Sequence, residues 1–556
     1  MVTSFFRLIR KEVANLHAAA YTVAIFTFLA QLLALLRDRI LAHSFGASEL
    51  LDIYYAAFKL PDLLFALIAS LVSAYILIPL IARAGEESKK KARELLSDAV
   101  MFLTIVLGAT AAVAAAFTPQ ILTALYPSFA DSSLFSEFVL LTRILLLQPI
   151  LLGISSVISS VTQLERRFLL YALSGVFYNV GIIFGILVLE PLFGIAGLGY
   201  GVVLGAFMHM ALHIPIVVSS GLAPYLKFPD VQKLRHIIIH SFPRALALSS
   251  HIIIAVVVTM LAAPLKEGSI TIFSFAYNLE GVPLALIGAS YAVVAFPTLA
   301  TLYAANEVEN FVKRVADAAR HLILWSTFAL VIFVVLRAHL VRVILGSGEF
   351  TWDDTRLTAA VLALLVTALV GQALVLLIAR AYYAAGKTFI PLIIQGAGAA
   401  VSIFAAMGLL YVHGNVPGYT YFIESILRIS FVPGTEIASI ALGVALGQIF
   451  AGVLAFVLFA HRYKGFAKIV VPVFFQSFAA AVIGGATAYL TLSLLGGIFA
   501  LTSLTAVLAQ GVLAGTLGLT VFLFVLWGLS NKEFQEIRAG ISNFLVKKKL
   551  EPQSEF

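Results

Sequence analysis

The chain has 556 residues, with 36 Lys and Arg against 28 Asp and Glu, and is 61% hydrophobic but only 12% charged. Soluble domains run at about 45–50% apolar residues, so this excess excludes an ordinary soluble enzyme and points to a polytopic membrane protein. Cysteine is absent, which removes disulfides, thiolate metal sites and cysteine nucleophiles, and the formal charge of +8 sits between apolar runs and is no nucleic-acid footprint.

Taken in order, the chain opens with Arg7, Arg10 and Lys11 before a long apolar run. No small-residue cleavage site closes that run, so it reads as a retained first span rather than a cleaved signal. A spanning helix needs about 20 mostly apolar residues, and on that rule the chain holds about fourteen spans. Their centres fall near Phe28, Ile68, Ile105, Leu151, Ile182, Leu204, Ile253, Ile287, Leu330, Leu365, Ala399, Leu446, Ala481 and Leu517. The fold class is therefore an all-α polytopic membrane protein. With the N-terminus inside, roughly three quarters of the Lys and Arg fall in inner segments. Lys89-Lys90-Lys91, Arg166-Arg167 and Arg462 with Lys464 are examples. Both termini are then cytoplasmic, and the longest polar outer loops are 118–138 and 411–439.

The stretch 37–62 is dense in charge for so apolar a chain, and six of its charged residues stand out: Arg37, Asp38, Arg39, Asp52, Lys59 and Asp62. Ionisable groups near a bilayer interior cost roughly 2.5 kcal/mol or more each unless they pair or face water. These six therefore read as lining a polar cavity through which a charged substrate crosses. Asp52, Lys59 and Asp62 recur on one helical face. The alternative places Asp52 at the outer interface, with Lys59 snorkelling back to it. Pro61 removes a backbone donor and weakens the helix there. Arg37 carries a guanidinium suited to a bidentate phosphate grip, or else is an interfacial anchor paired with Asp38. Gln31, Asn278 and Glu280 are intramembrane polar groups that face either the cavity or a neighbouring helix.

Phe58-Lys59-Leu60 with Pro79 recurs as Tyr277-Asn278-Leu279 with Pro297, at an offset of 219 residues (58 to 277) that slips by one at the proline. A shift of six spans makes the repeat parallel, with two lobes around a central cavity, the setting of alternating access. The predicted units are a six-helix lobe (1–220), a second six-helix lobe (221–465), two extra helices (466–530) and a basic tail (531–556). In the tail, Phe534, Ile537, Ile541 and Phe544 fall at helical spacing, and Lys547-Lys548-Lys549 suits an anionic leaflet. His209 and His213 read as a packed pair rather than a zinc site. His251 reads as a core histidine bonded near Ser249 and Ser250, or as a proton carrier. No aspartate-rich metal site, serine triad or phosphate-cradling loop stands out, so a non-enzyme is expected.

Several of these motifs resemble the MurJ (MviN) lipid II flippase family of the multidrug/oligosaccharidyl-lipid/polysaccharide exporter superfamily. They are Arg37-Asp38, Phe45-Gly46-Ala47, Asp52 and the run from Ala57 through Phe58-Lys59-Leu60-Pro61-Asp62 to Leu64. Arg167-Phe168 with Asn179, Gly348-Glu349-Phe350-Thr351 with Asp354, and Ala379-Arg380 through Gly386-Lys387 extend the likeness. The resemblance implies two six-helix lobes and a final helix pair forming a groove for a lipid tail. It also implies transfer of an undecaprenyl-diphosphate-linked peptidoglycan precursor across the bacterial cytoplasmic membrane. Diphosphate recognition then falls on Arg37, with Asp52 and Lys59 as cavity neighbours. Membrane lipids are the other partners, a monomer is expected, and no cofactor is, though membrane potential or a monovalent cation is the expected drive. Where the family has basic residues, this chain has Gln31, Phe65-Ala66 and Asn278. Where some relatives bind sodium through acidic residues on spans 7 and 11, this chain has neither Asp nor Glu. Those differences keep a polysaccharide-unit flippase or an ion-coupled multidrug exporter as the alternative, and a non-transporting scaffold as a third class.

Overall fold

The computed structural model describes residues 16–72, 74–496, 503–536 and 538–539. Arg7, Arg10, Lys11, Ile537, Ile541, Phe544 and Lys547-Lys548-Lys549 lie outside the described residues. Within the described residues the chain is helical and has no strand. Among the described residues, twelve helices are long and apolar enough to cross a membrane, and thirteen if a bent pair counts as one span. The expected centres near Ile68 through Leu517 all fall on these segments, and Phe28 falls on a further long helix, Leu16–Phe45.

The first lobe comprises α1 (Leu16–Phe45), α2 (Glu49–Leu71), α3 (Lys89–Ala116), α4 (Phe135–Leu164), α5 (Phe168–Phe193) and α6 (Ile195–Ser219). The second comprises α7 (Ser241–Ala262), α8 (Ser269–Ala304), α9 (Val308–Ile344), α10 (Trp352–Val366 and Leu369–Ala384), α11 (Phe389–Asn415) and α12 (Glu436–Arg462). The pair α13 (Phe466–Gly496) and α14 (Leu504–Gly528) packs on α9. Large apolar side chains such as Phe404, Phe475 and Phe524 are exposed on the exteriors of spanning helices, where lipid would be the solvent.

The breaks in α2 and α8 have local causes. Pro61 has no N–H for the Ala57 carbonyl, and the helix steps at Phe58 between Glu49–Ala57 and Lys59–Ile68. The same helix tightens at Ala69–Leu71, and α8 widens into a π turn at Leu284–Ala289, close to the position one repeat later. The repeat seen in the sequence therefore pairs two helices that are irregular at matching depths.

The lobes are joined firmly at the end where α1 finishes. The Glu349 amide donates to the His43 carbonyl (3.0 Å). Gly348, at φ +59°, lies so close that a Cβ there would fall 2.1 Å from the same carbonyl. Tyr55, Phe275 and Phe350 stack edge-on across this junction at 5.8 and 5.9 Å. Towards the other end, the chain linking the lobes is strapped to α3. Arg93 donates to the Ala223 carbonyl (2.7 Å), and buried Asp98 accepts from the Asp230 amide (2.9 Å) and pairs with Lys227 (2.7 Å).

The start of the tail docks on α9. Arg320, with 13% of its side chain exposed, pairs with Glu533, 2% exposed, and with Asp317 (3.2 Å) and Glu536 (3.4 Å). Arg320→Ala leaves the buried Glu533 carboxylate without its cation. We expect a loss of about 3 kcal/mol, within the range for breaking a buried pair. A thermal-shift measurement on the purified protein checks it, and an unchanged melting temperature would show that this contact contributes nothing.

Candidate functional site

Of the seven charged residues in 37–62, Glu49 accepts from the Ser132 hydroxyl (2.5 Å), and the structure separates the other groups held in structural contacts from Lys59, whose ammonium no described residue hydrogen-bonds. Asp38 is buried, and its two oxygens serve both lobes. Oδ1 accepts from Arg37 Nε and Nη2 (2.9 and 2.8 Å), and Oδ2 accepts from Asn278 Nδ2 on α8 (2.9 Å). Arg37 also reaches the Asn179 Oδ1 on α5 at 3.5 Å. Its guanidinium is thus spent largely on Asp38, which neutralises it locally.

Two of the expected cavity residues are corrected. Arg39 Nη1 donates to the Val343 and Ile344 carbonyls (2.7 and 3.2 Å), capping the C-terminus of α9 in the other lobe. Asp52 is 3% exposed and caps the N-terminus of α8. Its Oδ2 accepts from the Gly268 amide (2.8 Å), and its Oδ1 accepts from the Thr271 amide and hydroxyl (2.7 Å each). The physical reason is common to both. A helix end leaves bare donors or acceptors, and an opposite charge from the facing lobe satisfies them. Gly268 sits at φ +87°, with Ala47 pressed so near that a Cβ would lie 2.4 Å from its carbonyl.

Lys59 behaves differently. It lines a cavity of about 110 Å³ together with Tyr55 from α2, His251 and Thr259 from α7, Ser274, Tyr277 and Asn278 from α8, Gln372 from α10 and Gln448 from α12. None of the described residues hydrogen-bonds its ammonium, and its electrostatic partner is Asp62. Lys59 and Asn278 are one repeat apart, as are Tyr55 and Ser274, so both halves of the repeat present matching positions to one chamber. Asp52 and Thr271, also 219 apart, touch each other directly, as mates near a pseudo-two-fold axis must.

Gln31 and Asp62 are half-buried and lie outside the residues lining this cavity. Glu280 is buried and accepts from the Gln372 side chain (2.9 Å), so it supports the wall rather than facing the chamber. Reasoning from sequence missed Gln372 and Gln448, although an amide in the middle of an apolar span is itself a signal of an interior-facing position. His209 and His213 bond to Ser155 (2.7 Å) and Thr162 (3.1 Å) on α4. Within the described residues no group of three ligating side chains could hold a metal ion.

A second space is apolar. A groove of about 440 Å³ runs between α13 and the second lobe, lined by Leu330, Val370, Leu374, Phe456, Phe474 and Phe478 among others. It has the chemistry of a hydrocarbon site and adjoins the lobe that supplies most of the polar cavity.

Two helical lobes closed around a polar chamber, with a helix pair beside them, define a multi-pass membrane transporter. Solved structures share that architecture. A lipid II flippase MurJ in an inward closed conformation aligns with TM-score 0.70 at 19% identity, over 91% of this chain and 99% of that one. An inward-facing multidrug resistance MATE family transporter of the MOP superfamily aligns with TM-score 0.62 at 16% identity, over 80% of this chain and 99% of that one. The sequence family described as "Lipid II flippase MurJ" matches residues 41–510, and the chain belongs to that family. Curated relatives include a probable lipid II flippase MurJ from Buchnera aphidicola, 26% identical over 68% of this chain and 75% of the relative. The lipid II flippase MurJ of Burkholderia cenocepacia is 24% identical over 66% of this chain and 73% of the relative.

Proposed function

We propose that this chain carries lipid II, the lipid-linked peptidoglycan precursor, across the bacterial cytoplasmic membrane by alternating access, with both termini cytoplasmic. It is a transporter and not an enzyme, since flipping makes and breaks no covalent bond. The observation that carries the reading is the Lys59 ammonium, which no described residue hydrogen-bonds, in a chamber walled by both lobes. A diphosphate bears about two negative charges, and a charge-assisted contact is typically worth about 1.5–3 kcal/mol. Asn278, Gln372 and Gln448 add neutral donors for the remaining oxygens. The apolar groove beside α13 suits the polyprenyl tail. A carrier of organic cations is disfavoured by the same lysine, which repels them. No cofactor takes part. The drive is membrane potential or a monovalent cation, and the working unit is a monomer among membrane lipids.

The test is complementation. A bacterium depleted of its own lipid II flippase should recover growth when this chain is expressed and inserted. Loss of viability despite normal membrane levels of the protein would defeat the assignment, and a gain of drug tolerance instead would select the exporter reading.

A further inference from the structure

His251 lies on the α7 wall between two spaces. It lines the chamber of Lys59, and it also lines a neighbouring chamber of about 10 Å³ shared with Ser250, Gln395 and Gln448. That second space is about the size of one water molecule. The expected bonds to nearby serines are not made. Ser249 donates to the Ala245 carbonyl (2.8 Å) and Ser250 to the Leu246 carbonyl (3.2 Å). No described residue hydrogen-bonds the His251 ring, which is half-buried and reaches both spaces.

The other groups around it are few. Lys59 and Tyr55 face the chamber from α2, where Asp62 is the electrostatic partner of Lys59, and Tyr277 faces it from α8. The elements α10, α11 and α12 bring only the amides Gln372, Gln395 and Gln448. Glu280 on α8 is engaged by Gln372. Asp98 on α3 is held by Lys227 at the linker, His413 on α11 bonds to Ser439, and α12 keeps Glu436, His461 and Arg462 in its end turns. One permanent cation therefore faces this chamber, beside one imidazole that can become the second.

Resting on the flippase reading above, we infer that His251 is a second anion-binding group, protonated when a diphosphate docks on Lys59 and deprotonated when it leaves. The proton comes from hydronium in the water on the loading side, whose O–H bond breaks as an N–H bond forms on a free ring nitrogen. That bond breaks to water when the ligand is released, so charge and atoms balance over one cycle. The imidazole thereby supplies what a diphosphate needs and a single lysine lacks. The empty chamber avoids holding two adjacent cations in low dielectric.

The experiment uses the full-length protein in lipid nanodiscs, titrated with undecaprenyl diphosphate between about pH 6 and pH 8. Wild type should lose affinity by up to about tenfold per pH unit on the alkaline side and take up a proton on binding. The ligand's own titration is common to all variants and cancels in the comparison. His251→Gln should bind several-fold more weakly at pH 6, with that part of the slope and the extra proton uptake gone. His251→Arg should bind tightly at pH 8 with the slope likewise reduced. A wild-type slope that persists in both variants overturns the inference while leaving the flippase reading intact. Absence of wild-type binding at every pH, or unchanged binding by Lys59→Ala, overturns both.

Discussion

Lys59→Ala is expected to abolish rescue of a flippase-depleted strain while the protein still folds and inserts. The ammonium is the one permanent positive charge among the residues lining the chamber, and no described residue depends on it for a hydrogen bond. Removing it leaves only the half-buried Asp62 without its electrostatic partner, and membrane levels of the variant check that the fold survives. It does remove the charge-assisted contacts a diphosphate would make, two of which are worth about 3 kcal/mol or more. That corresponds to roughly 100-fold weaker binding. Lys59→Arg keeps the charge but carries it on a broader planar fork, so partial rescue is expected. Binding of undecaprenyl diphosphate to the purified variants gives the affinity directly. Full growth on Lys59→Ala at matched expression would mean that the diphosphate is held elsewhere.

Most of the scaffold is legible in the sequence because its signals are local. Apolar runs of spanning length mark the helices, Pro61 marks the step at Phe58, and the offset between Phe58 and Tyr277 marks the two lobes. Thr351 and Asp354 form a reciprocal capping box at the start of α10, which explains that motif without any substrate. The destinations of Arg39 and Asp52 are not local. Helical periodicity places a side chain on a face and says nothing about which element lies opposite. Both residues reach over to bare helix ends in the other lobe, and neither faces the chamber. One clue was present. Adding the repeat offset to Asp52 gives Thr271, and residues near a pseudo-two-fold axis meet their own mates. Glu280 fits the same pattern of charge used for architecture, since its partner is the wall amide Gln372. The cavity is thus poorer in charge than the stretch 37–62 suggests, and Lys59 matters correspondingly more.

Asp52→Ala should loosen the junction between the lobes and leave each lobe folded. The substitution strips the acceptor from three donors at once: the Gly268 amide, the Thr271 amide and the Thr271 hydroxyl. Each buried donor left unsatisfied costs about 1–3 kcal/mol. The cost falls only while α8 presses against α2, because separation of the lobes would let water reach these groups. A penalty of about 3 kcal/mol confined to one state moves the balance between states by roughly 100-fold. The chain has no cysteine, so Ser274→Cys in the chamber can report the change through labelling by a membrane-impermeant thiol reagent added outside cells. The reporter alone should label slowly, and adding Asp52→Ala should raise the rate by one to two orders of magnitude. Asp52→Asn retains one oxygen acceptor for the Thr271 pair and should fall between. Equal labelling in all three would mean that this carboxylate caps α8 without holding the lobes shut.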